Sequence, residues 1–378
     1  MSIDKKNTAH SSESALSRFS RGTVTRQLFT PEQIQESMAL TRPPSIKIAS
    51  IAGLQAALAL LAAIVLTYFS PWTHMIGYPA LGALASLFGR YAPVRDRMRI
   101  VAICALLLTL AVLIPSLASL AGASATIMVM VLALLAGAST FAVNHLRLGG
   151  PGAVIIVFAV GGALAPVESW QAATERAIAT AAGGIVAWIV CALTDHMRTV
   201  ELASLDMPAP PHRSLSHELI AAGRITLGAG IAAFIAHAAG WPHPAWAAIG
   251  ATAVMQGGHL HVTMNRALQR MAGTIVGAFI VWSILSQSPS FWMLVAAVVI
   301  FQFLTEVIIG FNYALGQITV TPMALLMTYL VAPAPTATNM PFERVLDTIL
   351  GAAIGIVFAV IFSTVDDRAF LAAHRKKP

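Results

Sequence analysis

Residues 80–120 read ALGALASLFGRYAPVRDRMRIVAICALLLTLAVLIPSLASL, and this stretch decides the fold class. Residues 100–120 carry no charge. At 1.5 Å per residue a helix of that length crosses a hydrocarbon core of about 30 Å. Immediately before it Arg90, Arg95, Arg97 and Arg99 crowd together, as basic residues do at the cytoplasmic end of a membrane helix. A shorter apolar segment ahead of them closes on Gly89.

The same alternation of apolar stretch and charged island runs through the chain. Of 378 residues 57% are hydrophobic and only 10% charged, against about 25% charged in a soluble domain. The apolar stretches are 46–69, 76–89, 98–120, 123–145, 150–166 and 174–194, then 218–240, 244–258, 267–286, 290–312, 314–333 and 342–364. Twelve crossings of about 20 residues use about 240 residues and leave loops of the length that joins neighbouring helices. Pro79, Pro151 and Pro322 interrupt three stretches, which membrane helices tolerate when neighbours satisfy the freed carbonyls. With the N-terminus inside, 21 of the 23 Lys and Arg residues fall on the cytoplasmic side, and the two left outside are Arg176 and Arg344. The net charge of +7 is therefore a topology signal and not a nucleic-acid footprint. Cys104 and Cys191 lie inside apolar stretches and form no secreted disulfide framework.

The two halves repeat. ERAIATAAG (175–183) returns as ERVLDTILG (343–351), an offset of 168 that also pairs Asn144 with Asn312 and Gly82 with Gly250. The sequence thus predicts an all-α polytopic membrane protein of two direct repeats of six transmembrane helices. Six being even, both repeats insert the same way round, with a pseudo-two-fold axis along the membrane normal. The expected parts are a cytoplasmic tail (1–44), the first repeat (45–194), a cytoplasmic linker (195–217), the second repeat (218–366) and a basic tail (367–378). In the first tail, Thr30-Pro31-Glu32-Gln33 offers an N-cap, a proline at the first helical position and a capping-box glutamine, which predicts a helix over 31–40.

The Gly-Arg-Tyr turn and basic cluster of 80–99, Trp246, Asn265-Arg266-xxx-Arg270-xx-Gly273-Thr274 and Glu343-Arg344-xxx-Thr348-xx-Gly351 resemble the fusaric acid resistance protein family of the aromatic acid exporter superfamily. The resemblance covers about residues 45–366. It implies a bacterial inner-membrane transporter that repeats a six-helix unit and exports organic anions, aromatic carboxylates among them. The longer exporters carry a large soluble region between or after their membrane halves; here residues 195–217 alone separate them, which puts the coupling to a periplasmic adaptor protein that some relatives show in doubt. The plant aluminium-activated malate channels are similar in their six-helix unit, which keeps a passive anion channel open as an alternative. A membrane scaffold is a third reading.

Candidate residues follow from the physics of a buried charge. Arg95 and Arg99 enter the third stretch, and Arg266 and Arg270 the ninth. Arginine pairs carboxylates bidentately and stays charged, so these four read either as topology signals or as partners of a substrate anion. Asn144 and Asn312, at the ends of the fourth and tenth stretches, read as helix caps or pore lining. Glu306 sits in FWMLVAAVVIFQFLTEVIIGF (291–311), otherwise uncharged, where a carboxylate costs about 2.5–3.5 kcal/mol; with Asp347 it is a proton-coupling candidate. Glu175-Arg176 and Glu343-Arg344 lie at the outer ends of equivalent helices, where bonds across the interface between halves would make a latch or an outer gate. The histidines of His259-x-His261 and Trp241-Pro242-His243 lack the further ligands of a metal site. No phosphate-cradling loop with Lys-Ser/Thr occurs, and no nucleophile, base and orienter assemble, so neither an enzyme nor a cofactor is expected. The stretches 76–89 and 244–258 reach only about 21–22 Å and occupy matching positions, the pattern that marks a transporter's central site. The substrate route is expected between the halves beside them, with Arg99 and Arg270 near its cytoplasmic entrance.

Overall fold

The structure, a computed structural model, describes residues 21–203, 205, 214–331, 339–363, 367, 368, 370 and 371. Residues 1–20 of the N-terminal tail and 372–378 of the C-terminal tail lie outside the described residues. Among the described residues every regular element is a helix. Two short helices, α1 (Arg21–Leu28) and α2 (Pro31–Met38), precede α3 (Ile46–Tyr68), α4 (Gly77–Ala83), α5 (Val94–Leu120), α6 (Ala125–His145), α7 (Ala153–Gly162) and α8 (Trp170–Thr194). The connecting α9 (His196–Ala203) leads to α10 (Leu215–Ala238), α11 (Pro244–Met255), α12 (Leu260–Leu285), α13 (Phe291–Ile308), α14 (Tyr313–Val331) and α15 (Met340–Ile361).

Eight of these, α3, α5, α6, α8, α10, α12, α13 and α15, are long and apolar enough to cross a membrane. Their outward faces carry Leu106, Leu134, Ile185, Leu193, Phe279 and Ile300 in the open, an arrangement that suits hydrocarbon and not water. The chain is a multi-pass membrane protein. Of the remaining apolar stretches, three fold as shorter helices and 314–333 as the 19 residues of α14. Residues 76–89 give α4 followed by a 3-10 turn over Leu84–Leu87 that ends in extended backbone at Phe88, while 150–166 contracts to the 10 residues of α7 and 244–258 to the 12 of α11. α14 runs through Pro322. Serines begin several long helices: Ser45, Ser124, Ser169 and Ser290 each accept a bond from the backbone N–H three residues on, satisfying one of the donors a helix start leaves unpaired.

The same pairings recur at an offset of 168. α5 packs on α8 as α12 does on α15, α4 on α8 as α11 on α15, and α6 on α7 as α13 on α14. Between the halves, α6 packs on α10 and α3 on α13. The tight seat of each short helix depends on glycine: a Cβ on Gly82 would fall 1.9 Å from the Thr180 carbonyl, and one on Gly351 2.3 Å from that of Ala247.

The N-terminal segment is more ordered than a solvated tail. α2 begins at Pro31 and stops at Met38, and Thr30 makes no side-chain cap. Gln33 does not close a capping box; its amide reaches α12 and donates to Asn265. Asn265 donates to Glu36 (3.1 Å) and Gln269 to the Ser37 carbonyl (2.7 Å), while the Thr41 N–H bonds the Phe311 carbonyl at 2.8 Å. Residues 31–43 thus strap the end of the second half at which the chain starts, called here the termini face. Within 195–217 lies α9, and α10 begins at Leu215, three residues before 218.

Candidate functional site

At the far face, opposite the termini, a cavity of about 620 Å³ opens between the halves. Gly77, Tyr78 and Leu81 of α4 and Pro244, Ala245, Trp246 and Ile249 of α11 flank it, so both short helices border a cavity rather than lipid. Met128, Phe158 and Met327 add apolar wall, and Ser119, Thr328, His237 and His243 supply its polar points. Further along the segment that begins with α4, Leu84, Leu87 and Phe88 are buried.

Each half presents the cavity with an aromatic ring backed by an arginine. The Arg176 guanidinium lies 5.3 Å from the Tyr78 ring centre and that of Arg344 5.3 Å from the Trp246 ring, within cation–π range. Each also pairs a histidine with the neighbouring glutamate, His74 with Glu175 at 3.7 Å and His243 with Glu343 at 3.1 Å. The expectation that these Glu-Arg pairs bond across the interface is not met: every one of these partners lies in the same half, because the short helix, seated by glycine against α8 or α15, brings its aromatic within reach first. The His243 ring stacks on Trp246 with centres 4.0 Å apart. Burial pushes the His243 imidazole below its ordinary range, outweighing the Glu343 carboxylate that favours the charged form.

Behind Trp246 the second half holds a buried polar cluster. Arg270 and Arg344 are each 2% exposed and Asp347 0%. Arg270 donates to the Tyr313 hydroxyl at 3.1 Å, and Arg266 lies 5.7 Å from the Tyr313 ring while reaching the Ala253 carbonyl at 3.4 Å. At offset 168 the first half has Ala102 for Arg270, His145 for Tyr313 and Ala179 for Asp347. The cluster is therefore a property of one half.

The termini face is closed by charge. Glu306, buried in α13, pairs with Arg90 of the first half, and the Glu306 carbonyl accepts from the same guanidinium at 3.4 Å. At the other seam His145 meets Glu218 at 3.1 Å. Arg97, buried, bonds Asp195 at 2.9 Å, and Asp195 also takes Arg198 at 2.6 Å; Arg198 in turn donates to the Arg90 and Ala92 carbonyls at 2.6 and 3.2 Å, fixing the loop that presents Arg90. Arg95 and Arg99 are exposed, and neither they nor Arg270 line the cavity. Asn144 is half-buried at the end of α6. Asn312 caps α14, its Oδ1 accepting from the Ala314 N–H at 2.7 Å, and its Nδ2 donates to the Ser37 and Ala39 carbonyls, both at 3.0 Å.

Sequence reasoning misses Asp195, Arg198 and Tyr313, because Arg97, Arg90 and Arg270, which they meet, are distant in the chain, and it reads Arg90 and Arg97 as topology signals. Tyr78 was within reach, since offset 168 places it opposite Trp246.

Residues 231–358 match the fusaric acid resistance protein-like family, a span from within α10 almost to the end of α15. A curated relative, the uncharacterized membrane protein YvaC of Bacillus subtilis (strain 168), is 32% identical over 118 residues, which is 31% of this chain and 19% of that protein. The match thus spans about a fifth of the relative's length. No solved structure matches. Both findings support the family resemblance carried by the motifs.

Proposed function

We propose that the protein is a secondary transporter that exports amphipathic organic anions, a carboxylate on an aromatic or other apolar body, across a bacterial inner membrane with both termini in the cytoplasm. In this reading the two sets of six helices, α3–α8 and α10–α15, are direct repeats about a pseudo-two-fold axis, and their short members complete twelve crossings. The observation that carries it is the 620 Å³ cavity between the halves, bordered by both short helices and walled mostly by apolar and aromatic side chains, the lining expected of a site for a drug-sized amphipathic molecule. An anion leaving a negative-inside cell gains about 2.3 kcal/mol per 100 mV, so outward flux needs no coupled proton. Glu306 and Asp347 are the intramembrane carboxylates through which a proton would act.

The cavity stops short of the termini face, where Arg90 and Glu306 bridge the halves. A site open to one side and closed to the other favours alternating access over the continuous path of a passive anion channel. The test is uptake into inside-out vesicles across a panel of aromatic and aliphatic carboxylates under an imposed potential. Slow, saturable, potential-driven flux is expected; unitary currents in planar bilayers would move the assignment to a channel, and neither flux nor current would leave a scaffold.

A further inference from the structure

The two Lys or Arg residues that the charge rule leaves on the outer side, Arg176 and Arg344, are the two that back the cavity aromatics. They are equivalent in sequence and in the ring they face, but not in how their donors are used. Arg176 gives Nη1 to the Ala165 carbonyl at 2.9 Å and Nη2 to that of Pro166 at 3.0 Å, so it ties down the loop after α7. Arg344 is 2% exposed, yet its Nε and Nη1 meet no acceptor. A buried charged donor without an acceptor is among the costlier arrangements in a protein interior.

Its surroundings sharpen the contrast. Arg270 lies close enough to act on Arg344 electrostatically, and having spent Nη1 on Tyr313 it too keeps an Nε without an acceptor. Asp347, one turn further along α15, has both carboxylate oxygens unpaired. Two guanidinium groups and a carboxylate are thus buried together with donors and acceptors unmet, one side chain behind the cavity wall formed by Trp246.

We infer that Arg344 and Arg270 form an anion site for a carboxylate group, reached from the cavity past Trp246, with Asp347 as its built-in competitor. The inference rests on the cavity being the substrate site. Bidentate geometry suits a carboxylate to a guanidinium fork. Asp347 attracts Arg344 and so weakens the hold on a ligand, which lets an anion be taken up and released rather than trapped.

The test uses the full chain in lipid nanodiscs, titrated with benzoate and, as the neutral isostere, benzamide, with melting temperature and tryptophan fluorescence as readouts. Benzoate is expected to bind wild type and to raise its melting temperature, and benzamide to do so far less. Arg344→Gln should weaken benzoate binding by about tenfold or more, Arg344→Lys by less, and Arg176→Gln, which loosens the loop carrying Ala165 and Pro166, by less than Arg344→Gln. Asp347→Asn, which keeps both arginines and guards against a folding failure of the Arg344 variant, should tighten binding severalfold. Equal losses in Arg176→Gln and Arg344→Gln, unchanged binding in Arg344→Gln, or weaker binding in Asp347→Asn would each overturn the site. Equal binding of benzoate and benzamide would also overturn it while leaving the cavity as an apolar site. Intact, Arg344-dependent binding without benzoate flux in vesicles would instead remove the transport reading.

Discussion

Replacing Gly82 by alanine tests how the cavity is framed. The added Cβ would stand 1.9 Å from the Thr180 carbonyl oxygen and 2.7 Å from the Gly184 nitrogen, where ordinary contact begins near 3.4 Å. α4 and α8 must therefore part by about 1.5 Å, and because the obstructing atoms are backbone no side-chain rotation relieves the clash. Overpacking of this kind costs about 1–3 kcal/mol, and a backbone obstacle places it at the upper end, enough to lower the melting temperature by several degrees. Gly250→Ala in the second half meets its nearest neighbour, the Gly351 Cα, only at 3.3 Å and should cost well under 1 kcal/mol. Gly223→Ala, with nothing within 4 Å, should be neutral or gain up to about 1 kcal/mol of helix propensity. Thermal unfolding of the three variants in one detergent gives the order, and vesicle flux gives the consequence. Tyr78, one turn before Gly82, moves with α4, so Gly82→Ala should also impair transport. A melting temperature for Gly82→Ala equal to that of Gly223→Ala would refute the reasoning.

Other perturbations address the closed face, the strap and the outer rim. Arg90→Gln and Glu306→Gln should each destabilise by about 3 kcal/mol, since each leaves a largely buried charge without its partner; the double mutant should lose less than the two combined, and strictly additive losses would show that the pair does not couple the halves. Glu306→Gln should also flatten any pH dependence of flux, and retention of wild-type dependence would make Glu306 structural. Asn312→Ala removes the α14 cap and two bonds to the strap, so hydrogen exchange over 31–43 should quicken while that of α3 stays unchanged; equal protection in the variant would refute the strap. Because burial favours the neutral imidazole of His243, its contribution is present above the ordinary histidine pKa of about 6.5 and is lost as pH falls below it. Wild type should accordingly lose thermal stability relative to His243→Gln between pH 7 and pH 5, and parallel curves would count against this.

What the sequence made legible follows from what a linear pattern encodes. Apolar length and charge islands report the environment of each segment by itself, so the long helices, the short pair at 76–89 and 244–258, and the proline start of α2 could all be read directly. The offset of 168 reported the glycines because a small residue is required wherever two backbones touch, in both halves alike. Ion pairs are different: Arg97 meets Asp195 across 98 positions, and Arg90 meets Glu306 across 216, and no local periodicity records which of several arginines turns inward. Arg99 and Arg270 looked equivalent because both stand near the start of a helix, yet offset 168 pairs Arg99 with Ala267 and Arg270 with Ala102. One faces outward and the other lies inside the second half.

The same offset separates scaffold from chemistry. Gly82 with Gly250, Gly183 with Gly351, Thr180 with Thr348 and Glu175 with Glu343 are kept in both halves, and the glycines among them bring backbones together. Arg270, Asp347 and Glu306 stand opposite Ala102, Ala179 and Ala138 of the first half, and each is a group that hydrocarbon penalises heavily unless something offsets the cost. A helix seat is needed twice because α4 packs on α8 and α11 on α15. Each half has its own buried charge: Arg97 and Arg198 are paired with Asp195 in the first, whereas both carboxylate oxygens of Asp347 and two donors of Arg344 have no hydrogen-bond partner in the second. Arg344 stands at the boundary between the two classes: its position belongs to the scaffold, shared with Arg176, while its donors, unlike those of Arg176, are left for something the fold itself does not supply.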